Sequence, residues 1–511
     1  MSTPGFLGID AGTQGLSAIF TNRQLEVLGV GEGSYDMLPE LQDGCYEQST
    51  SDWEAALVDA VQELNARLAT DNVEPEVLAV GISGQMHGEV LCDDGGQALG
   101  PVRLWCDGRN EAEGHELTSR FGVKMPKRIT AARWLWTLRN HPNKAAETRH
   151  ITTPAGWIAR RLTGQWNLGI GDAAGMFPID QTTLNYDQAL LESFDKLVGD
   201  PSLAGLGSLL PSICKAGEEA GSLDAEGARL LGLPVGIPVA AAEGDQPAAL
   251  AGSLIADAGM VSCSFGTSVC ANSVGDRAFS GVSDAVDHFC AADGKPINMV
   301  WLRNGTTFMN AVVRMFGGVL GNGDAAFDAV MPQLVASARD CGGLQALPFM
   351  DDEPGLGISQ GGTAMLFGLN DENATPGNAA RAALLSTMFN LRMGCEVLDQ
   401  QSHPRTEIVL SGGLTRTPEL GQILADVFRC PVSLLDSAAE GTAWGAALLA
   451  AYRHAVLKGE TCDWSGFLAR LRSAPQHRFE PCQEAANQTD QLFARYRRLI
   501  QTQTDLATAV D

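Results

Sequence analysis

The sequence contains no run of about 18 apolar residues, so nothing in it is expected to cross a bilayer. Basic residues are scarce: 35 Lys and Arg stand against 61 Asp and Glu, for a net charge of −26 at pH 7. Phosphate backbones and anionic bilayers need a basic face to neutralise them, so neither nucleic acid nor membrane is expected as a partner. A small phosphorylated ligand stays open, because backbone N–H groups and a bridging metal can hold one. Met1-Ser2-Thr3-Pro4-Gly5 has no basic segment and leads straight into a strand pattern, which argues against a secretory leader. The twelve cysteines are scattered, with no C-x-x-C pair and no zinc-like Cys/His spacing. They read as reduced thiols, and the expected address is cytoplasmic. H-E-x-x-H and G-x-x-x-x-G-K-[ST] are absent as well.

What is present suits a folded protein of two or more domains: 511 residues, 45% of them apolar and 19% charged. Gly5 to Phe20 reads as strand, glycine turn (Asp10-Ala11-Gly12-Thr13-Gln14-Gly15) and strand, a hairpin with a polar tip. Asp52 to Ala69 is helical in period, with Trp53, Ala56, Leu57, Ala60, Val61 and Leu64 on one stripe. A buried strand, Val77 to Ile82, then ends in Ser83-Gly84-Gln85-Met86-His87-Gly88. The second half repeats this plan. Strand Gly259 to Ser264, turn Phe265-Gly266-Thr267-Ser268 and strand Val269-Cys270-Ala271 are followed by a helix over 378–400. The strand Glu407 to Leu410 then ends in Ser411-Gly412-Gly413. Thr13 and Thr267 lie 254 residues apart, close to half the chain, so the pattern predicts an internally duplicated α/β protein with its join near Leu250 to Ala258.

Gly-Thr turns between strands aim several backbone N–H groups into one concavity, which is what an anion needs. Asp10 at a strand end beside such a cradle suits Mg²⁺ held through water, or else it caps its own turn. Asp245, where a glycine turn enters a helix, reads either as an N-cap or as a general base at the seam of the halves. His87 is either satisfied locally or donates to a sugar hydroxyl. Trp105-Cys106-Asp107-Gly108-Arg109 offers an aromatic platform, an acceptor and a forked donor to a polyol, or is a plain turn. Gly321-Asn322-Gly323-Asp324-Ala325-Ala326 has dinucleotide-motif spacing, but a helical pattern, Phe308 to Phe316, precedes it where a strand is required. Asp351-Asp352-Glu353 reads as a solvated loop.

Taken together these segments resemble the FGGY family of carbohydrate kinases, and within it the xylulokinase branch. Ile9-Asp10-Ala11-Gly12-Thr13-Gln14 is similar to the first phosphate hairpin, Gln85-Met86-His87-Gly88 to the sugar-contacting segment and Trp105 to Arg109 to W-N-D-G-R. Gly171-Asp172-Ala173-Ala174-Gly175 resembles S-D-A-A-G, Gly244-Asp245 the segment with the catalytic aspartate, Phe265 to Ser268 the second phosphate loop and Ser411-Gly412-Gly413 the adenosine turn. The chain departs from the pattern at Gln246 and Cys106, where Asn is usual, and at Arg133, where Lys is usual; an S-G-E-R-T-P-like stretch is missing near Asp351 to Gly355.

The resemblance implies a duplicated ribonuclease-H-like (actin-like ATPase) fold, with domains 1–252 and 253–511 around a central cleft and a helical extension at the C-terminus. It implies ATP-dependent phosphorylation of a ketopentose, D-xylulose to D-xylulose 5-phosphate. In that scheme Asp245 is the base and Asp10 the Mg²⁺ ligand. Gln85, Met86, His87, Gly88, Trp105, Asp107, Arg109, Asp245 and Gln246 bind the sugar. Gly12, Thr13, Gln14, Gly266, Thr267, Ser268, Gly412, Gly413 and Arg416 bind ATP. Partners are then the sugar and ATP alone, with a homodimer as the assembly allowed for. The alternatives are ribulose, another ketose or a polyol such as erythritol or glycerol as substrate. From other classes come an actin-like or heat-shock-type ATPase and a sugar-sensing pseudokinase, the latter disfavoured by Asp10 and Asp245.

Overall fold

The computed structural model describes residues 2–317, 323–434, 441–472 and 477–503. Two sheets carry the architecture. In the first, β1 (Thr3–Ala11), β2 (Gly15–Asn22) and β3 (Val27–Ser34) form an antiparallel meander. The long helix α1 (Thr50–Thr70) leads to β4 (Pro75–Gly84), which pairs in parallel with β1, and the short β5 (Glu243–Gly244) closes the order β5-β4-β1-β2-β3. In α1 the stripe read from the sequence is buried as expected, extended by Leu68, and Ser49 caps the helix by accepting from the Ser51 amide. Helices α2 (Glu111–Phe121) and α3 (Thr130–Asn140) build a lobe beside this sheet, and α4 (Asp245–Gly252) carries the chain out of it.

The second sheet repeats the plan. β6 (Met260–Phe265) and β7 (Val269–Val274) form a hairpin, β8 (Val286–Cys290) and β9 (Pro296–Leu302) extend it, and β10 (Glu407–Gly412) pairs in parallel with β6. With β11 (Val432–Leu434) and β12 (His477–Phe479) the order is β8-β9-β7-β6-β10-β11-β12. The duplication holds to the register. Asp10 stands opposite Ser83 and Ala11 opposite Gly84 in the first sheet; Ser264 stands opposite Ser411 and Phe265 opposite Gly412 in the second. The helix expected over 378–400 begins two residues earlier, as α5 (Pro376–Gln400), because Thr375 caps it and Pro376 fits its first turn.

Helix α6 (Gly441–Leu457) belongs to the second half by sequence but packs on the first sheet, joining Phe6, Ile19 and Ala79 in one apolar cluster with Ala443, Ala447 and Ala450. Its backbone comes so close that only glycine fits beneath it: a Cβ on Gly8 would lie 2.1 Å from the Ala443 carbonyl oxygen, and one on Gly81 1.8 Å from that of Ala446. A further cluster, with Met86, Ile170 and Leu250 from the first half against Met260, Val274 and Phe289 from the second, seals the seam under the cleft. All twelve cysteines are free thiols. Among the described residues no helix is long and apolar enough to cross a membrane. In the dinucleotide-like stretch, Gly321 and Asn322 lie outside the described residues, and the segment before it is the helix Thr307–Met315.

Because α6 has nowhere to retreat, Gly81→Ala is expected to destabilise the protein by about 1–3 kcal/mol through overpacking. Thermal melting checks this; an unchanged midpoint would mean that the sheet and α6 are not in this contact.

Candidate active site

A cleft of about 820 Å³ separates the two halves, and strand alternation explains its walls. On the second sheet Val261, Cys263, Phe265, Val269, Ala271, Val300 and Leu302 point into the core. The residues between them, Ser262, Ser264, Cys270, Asn272, Met299 and Trp301, face the cleft. That side of the sheet fronts the cleft with mixed polar and apolar groups. Across from it stand Met86, His87, Trp105 and Cys106, with Asp245 and Gln246 on the floor. Trp105 and Trp301 are 43% and 39% exposed, which for rings of this size marks them as open contact surface.

Both Gly-Thr turns have unsatisfied donors. In the first, the Gly12 amide closes on the Gly15 carbonyl, and the amides of Thr13 and Gln14 find no partner among the described residues. In the second, the Gly266 amide closes on the Ser268 carbonyl, and those of Thr267 and Ser268 are free in the same sense. Adjacent free N–H groups of this kind bind anions. The turns are held differently. Trp105 Nε1 donates to Thr13 Oγ1 (3.1 Å), and Gln48 Nε2 donates to the Thr13 carbonyl (2.7 Å). The carbonyls of Gly266 and Thr267 are instead fixed by the amides of Thr306 and Gly305. The third turn uses Gly412 at φ 79°, a left-handed conformation suited to glycine, and exposes Gly413 and Arg416.

Several expected sugar contacts stand behind the wall rather than in it. Gln85, 1% exposed, spends its amide on Gln48 Oε1 (2.9 Å) and the Gly12 carbonyl (3.4 Å), bracing the first hairpin. Gly88 is buried against Pro154. Asp107 is fully buried, accepting from the Tyr46 amide and from Arg109, which also pairs with Glu47 at 2.5 Å. These residues shape the loop that presents Trp105 and Cys106. His87 does line the cleft. Its Nδ1 lies 2.9 Å from the Gly175 carbonyl oxygen and must donate, since a carbonyl cannot. Burial and the nearby Arg128 push the ring down to about 3, so it is neutral and presents Nε2 as an acceptor, the reverse of the donor role read from sequence. Glu353 also corrects the sequence reading: far from a solvated loop, it is 1% exposed and accepts from the Arg303 and Asn304 amides.

Four carboxyl groups gather at the floor and beneath it. Asp10 accepts hydroxyl protons from Ser83 and, across the halves, from Thr442, while burial raises its carboxyl. Asp245 is the first residue of α4; Gly244 occupies the cap and makes no side-chain bond, so Asp245 is not the N-cap. Burial and the charge of Asp10 push it up to about 7. Behind it Glu243 accepts from the amides of Gly171 (3.2 Å) and Asp172 (2.9 Å), Asp172 accepts from Thr153 (2.5 Å), and burial pushes both up to about 8. Sequence reasoning passed over Gln48, Ser83, Glu243, Asn272 and Thr442, whose roles come from contacts distant in the chain. Among the described residues no three His, Cys, Asp or Glu side chains gather as a metal cage. A hydroxyl-anchored carboxylate such as Asp10, beside Asp245, fits an Mg²⁺ that keeps its waters and arrives on a nucleotide.

Residues 6–252 match the N-terminal domain, and 261–454 the C-terminal domain, of the FGGY family of carbohydrate kinases. The chain belongs to that family. It is therefore a sugar kinase with the duplicated actin-like ATPase fold, and its substrates are a small-molecule sugar and ATP. It is 27% identical to the xylulose kinase of Haemophilus influenzae over 461 residues (87% of this chain, 90% of that protein). To the xylulose kinase of Escherichia coli it is 27% identical over 457 residues (87% and 89%). In solved structures it resembles a xylulose kinase from Rhodospirillum rubrum (TM-score 0.82, 21% identity, 98% of this chain and 99% of that one). A gluconate kinase from Lactobacillus acidophilus fits almost equally well (TM-score 0.80, 17% identity, 100% of both). The fold alone does not choose the sugar.

The Asp172–Glu243 pair yields a pH prediction. Both carboxyls keep protons in the folded state up to about 8, whereas the unfolded chain loses them near pH 4. Between those values the unfolded state binds fewer protons, so this pair makes stability fall as pH rises. Glu243→Gln, which stays neutral, should melt progressively higher relative to the parent as pH goes from 5 to 9. A melting difference independent of pH would show that the pair does not titrate in this window.

Proposed function

We propose that this kinase phosphorylates a ketopentose, D-xylulose, at its terminal hydroxyl to give D-xylulose 5-phosphate, with Asp245 as general base. The observation that carries this reading is the placement of Asp245: on the cleft floor, in the first turn of α4 rather than at its N-cap, with its carboxyl pushed up to about 7 and Met86 and His87 beside it. The similarity to curated xylulose kinases over most of the chain supports the choice of sugar.

In the proposed reaction the sugar lies between the Met86–His87 turn and Trp105, with His87 Nε2 accepting from one of its hydroxyls. The attacking hydroxyl oxygen forms a bond to the γ-phosphorus as the bond to the β,γ-bridging oxygen breaks, ADP leaves, and Asp245 takes the hydroxyl proton. The free amides of Thr13, Gln14, Thr267 and Ser268 hold phosphoryl oxygens, and Gly412, Gly413 and Arg416 flank the adenosine. Asp10, oriented by Ser83 and Thr442, would hold Mg²⁺ through water, an ion that offsets charge on the transferring group. Gln246 Oε1 accepts from Asn272 Nδ2 (3.2 Å), tying the floor to the second sheet. The shorter Asn found elsewhere in the family would not span that gap. This reading divides the chain into a sugar-binding unit, 1–252, and a nucleotide-binding unit, 253–511, with α6 of the second seated on the first.

Coupled ADP release across ketoses, polyols and gluconate tests the substrate: D-xylulose should give the highest kcat/KM. A higher value for any other compound reassigns it, and ATP turnover indifferent to every sugar rejects the reading. Asp245→Asn should lower kcat by about 10²–10⁴-fold with little change in melting; near-parental kcat would exclude the base. Since a base must be ionised, kcat/KM should rise with pH through about 7. Gln246→Asn should reorder the ketoses while leaving the KM for ATP within about twofold, as expected of a pocket edit. An unchanged order would remove Gln246 from the sugar pocket.

A further inference from the structure

Arg133 is 0% exposed, yet among the described residues no carboxylate pairs with it. Its Nη1 donates to the carbonyl oxygens of His87 (3.3 Å) and Arg128, while Nε and Nη2 find no partner. A guanidinium buried on such terms is costly, so the two carbonyls it holds are the place to look for its purpose. One belongs to His87, whose φ of 69° lies in the left-handed region that a side chain with a Cβ adopts reluctantly. That turn survives because Thr130 Oγ1 also donates to the same carbonyl (3.1 Å) and the ring bonds to the Gly175 carbonyl.

The other carbonyl belongs to Arg128. Its side chain crosses the cleft to form an ion pair with Asp287 on β8, and Lys124 reaches the same carboxylate at 3.2 Å and the Asp284 carbonyl at 2.6 Å. Lys124 and Arg128 come from the segment between α2 and α3; Asp287 lies on β8 of the second sheet and Asp284 in the turn just before it. Arg133 thus stands between the ion pair that bridges the halves and the turn that faces the sugar.

We propose that Arg133 is a positioning residue that links the cross-cleft pair Arg128–Asp287 to the His87 turn, so that closing the cleft and ordering the sugar wall are one event. When the halves part, Arg128 loses its partner and its backbone slackens. Arg133 loses one of its two anchors, and the strained His87 turn loses a brace. The inference rests on the reading of His87 as part of the sugar site.

A double-mutant cycle in the full-length enzyme tests it. Asp287→Asn and Arg133→Met should each raise the KM for sugar by about tenfold, with the KM for ATP within twofold, and the double variant should be no worse than the weaker single, because both cut one link. Arg133→Lys, which keeps a donor for the carbonyls, should recover part of the loss, and it replaces Arg133→Met in the cycle if that variant does not fold. Multiplying effects, or an equal rise in the KM for ATP, would overturn the link. Should the parent phosphorylate no sugar in the panel, the substrate reading fails by itself. Amide hydrogen exchange then decides the link: Asp287→Asn must speed exchange at residues 86–90, and unchanged exchange there rejects it.

Discussion

Asp10, Asp172, Glu243 and Asp245 converge on and beneath the cleft floor, and among the described residues none has a cation partner. Buried carboxyls without counter-ions resist ionising, and each raises the proton affinity of its neighbours. The effect is graded by position. The two deepest, Asp172 and Glu243, are pushed up to about 8, and Asp245, facing the cleft, to about 7. The group nearest the open cleft is thus the one held closest to neutrality, and the carboxyls behind it are held protonated by burial. This grading also accounts for a chain of net charge −26 handling a polyanionic substrate, since the floor carries less charge than its composition suggests. The cleft still carries positive groups, the free amides of the two turns together with Lys124, Lys127, Arg128 and Arg303 on its walls.

The parts of this design carried by local pattern were legible in the sequence. Both hairpins, the stripe of α1, the helix α5 and the repeat spacing follow from periodicity and glycine placement, and the matching registers of β1 with β4 and β6 with β10 confirm that the repeat is structural. Asp245 stood out as an acid at a glycine turn, but that Gly244 and not Asp245 takes the N-cap position is read only from the backbone. What stayed hidden depends on contacts between distant residues. Gln85 is a sugar ligand by the family resemblance, yet just past the end of β4 its side chain turns to Gln48 and the Gly12 carbonyl. Glu353 reads as a surface acid until the amides of Arg303 and Asn304 are seen to need it. The cleft-facing side of the second sheet was written in the alternation of Cys270 and Asn272 and of Met299 and Trp301. A short alternating run does not reveal whether its polar side meets bulk water or a cleft.

Duplication supplies two equivalent turns, and the differences between them assign the labour. At the position where the first half has Asp10, the second has Ser264, so only one turn carries an acid. The first turn is roofed by Trp105 and propped by Gln48 and Gln85, side chains that also shape the sugar wall. The second is pinned by the entry to the helix Thr307–Met315, whose Gly305 and Thr306 amides and Thr306 and Thr307 hydroxyls donate to its carbonyls. The first half thus couples its Gly-Thr turn to the wall that carries Trp105, and the second holds its turn through the chain that enters the next helix.

The two halves nevertheless do not act as separable bodies, and Asp10 shows why. One of its oxygens accepts from Ser83 within the first sheet, and the other accepts from Thr442 at the start of α6, a helix contributed by the second half. That helix lies on the first sheet so closely that Gly8 and Gly81 have no room for a Cβ, which fixes Thr442 relative to Asp10. The acid at the phosphate turn is therefore oriented by both halves of the chain, through a contact that glycine sterics make rigid. A second tie between the halves, the ion pair of Arg128 with Asp287, stands across the cleft.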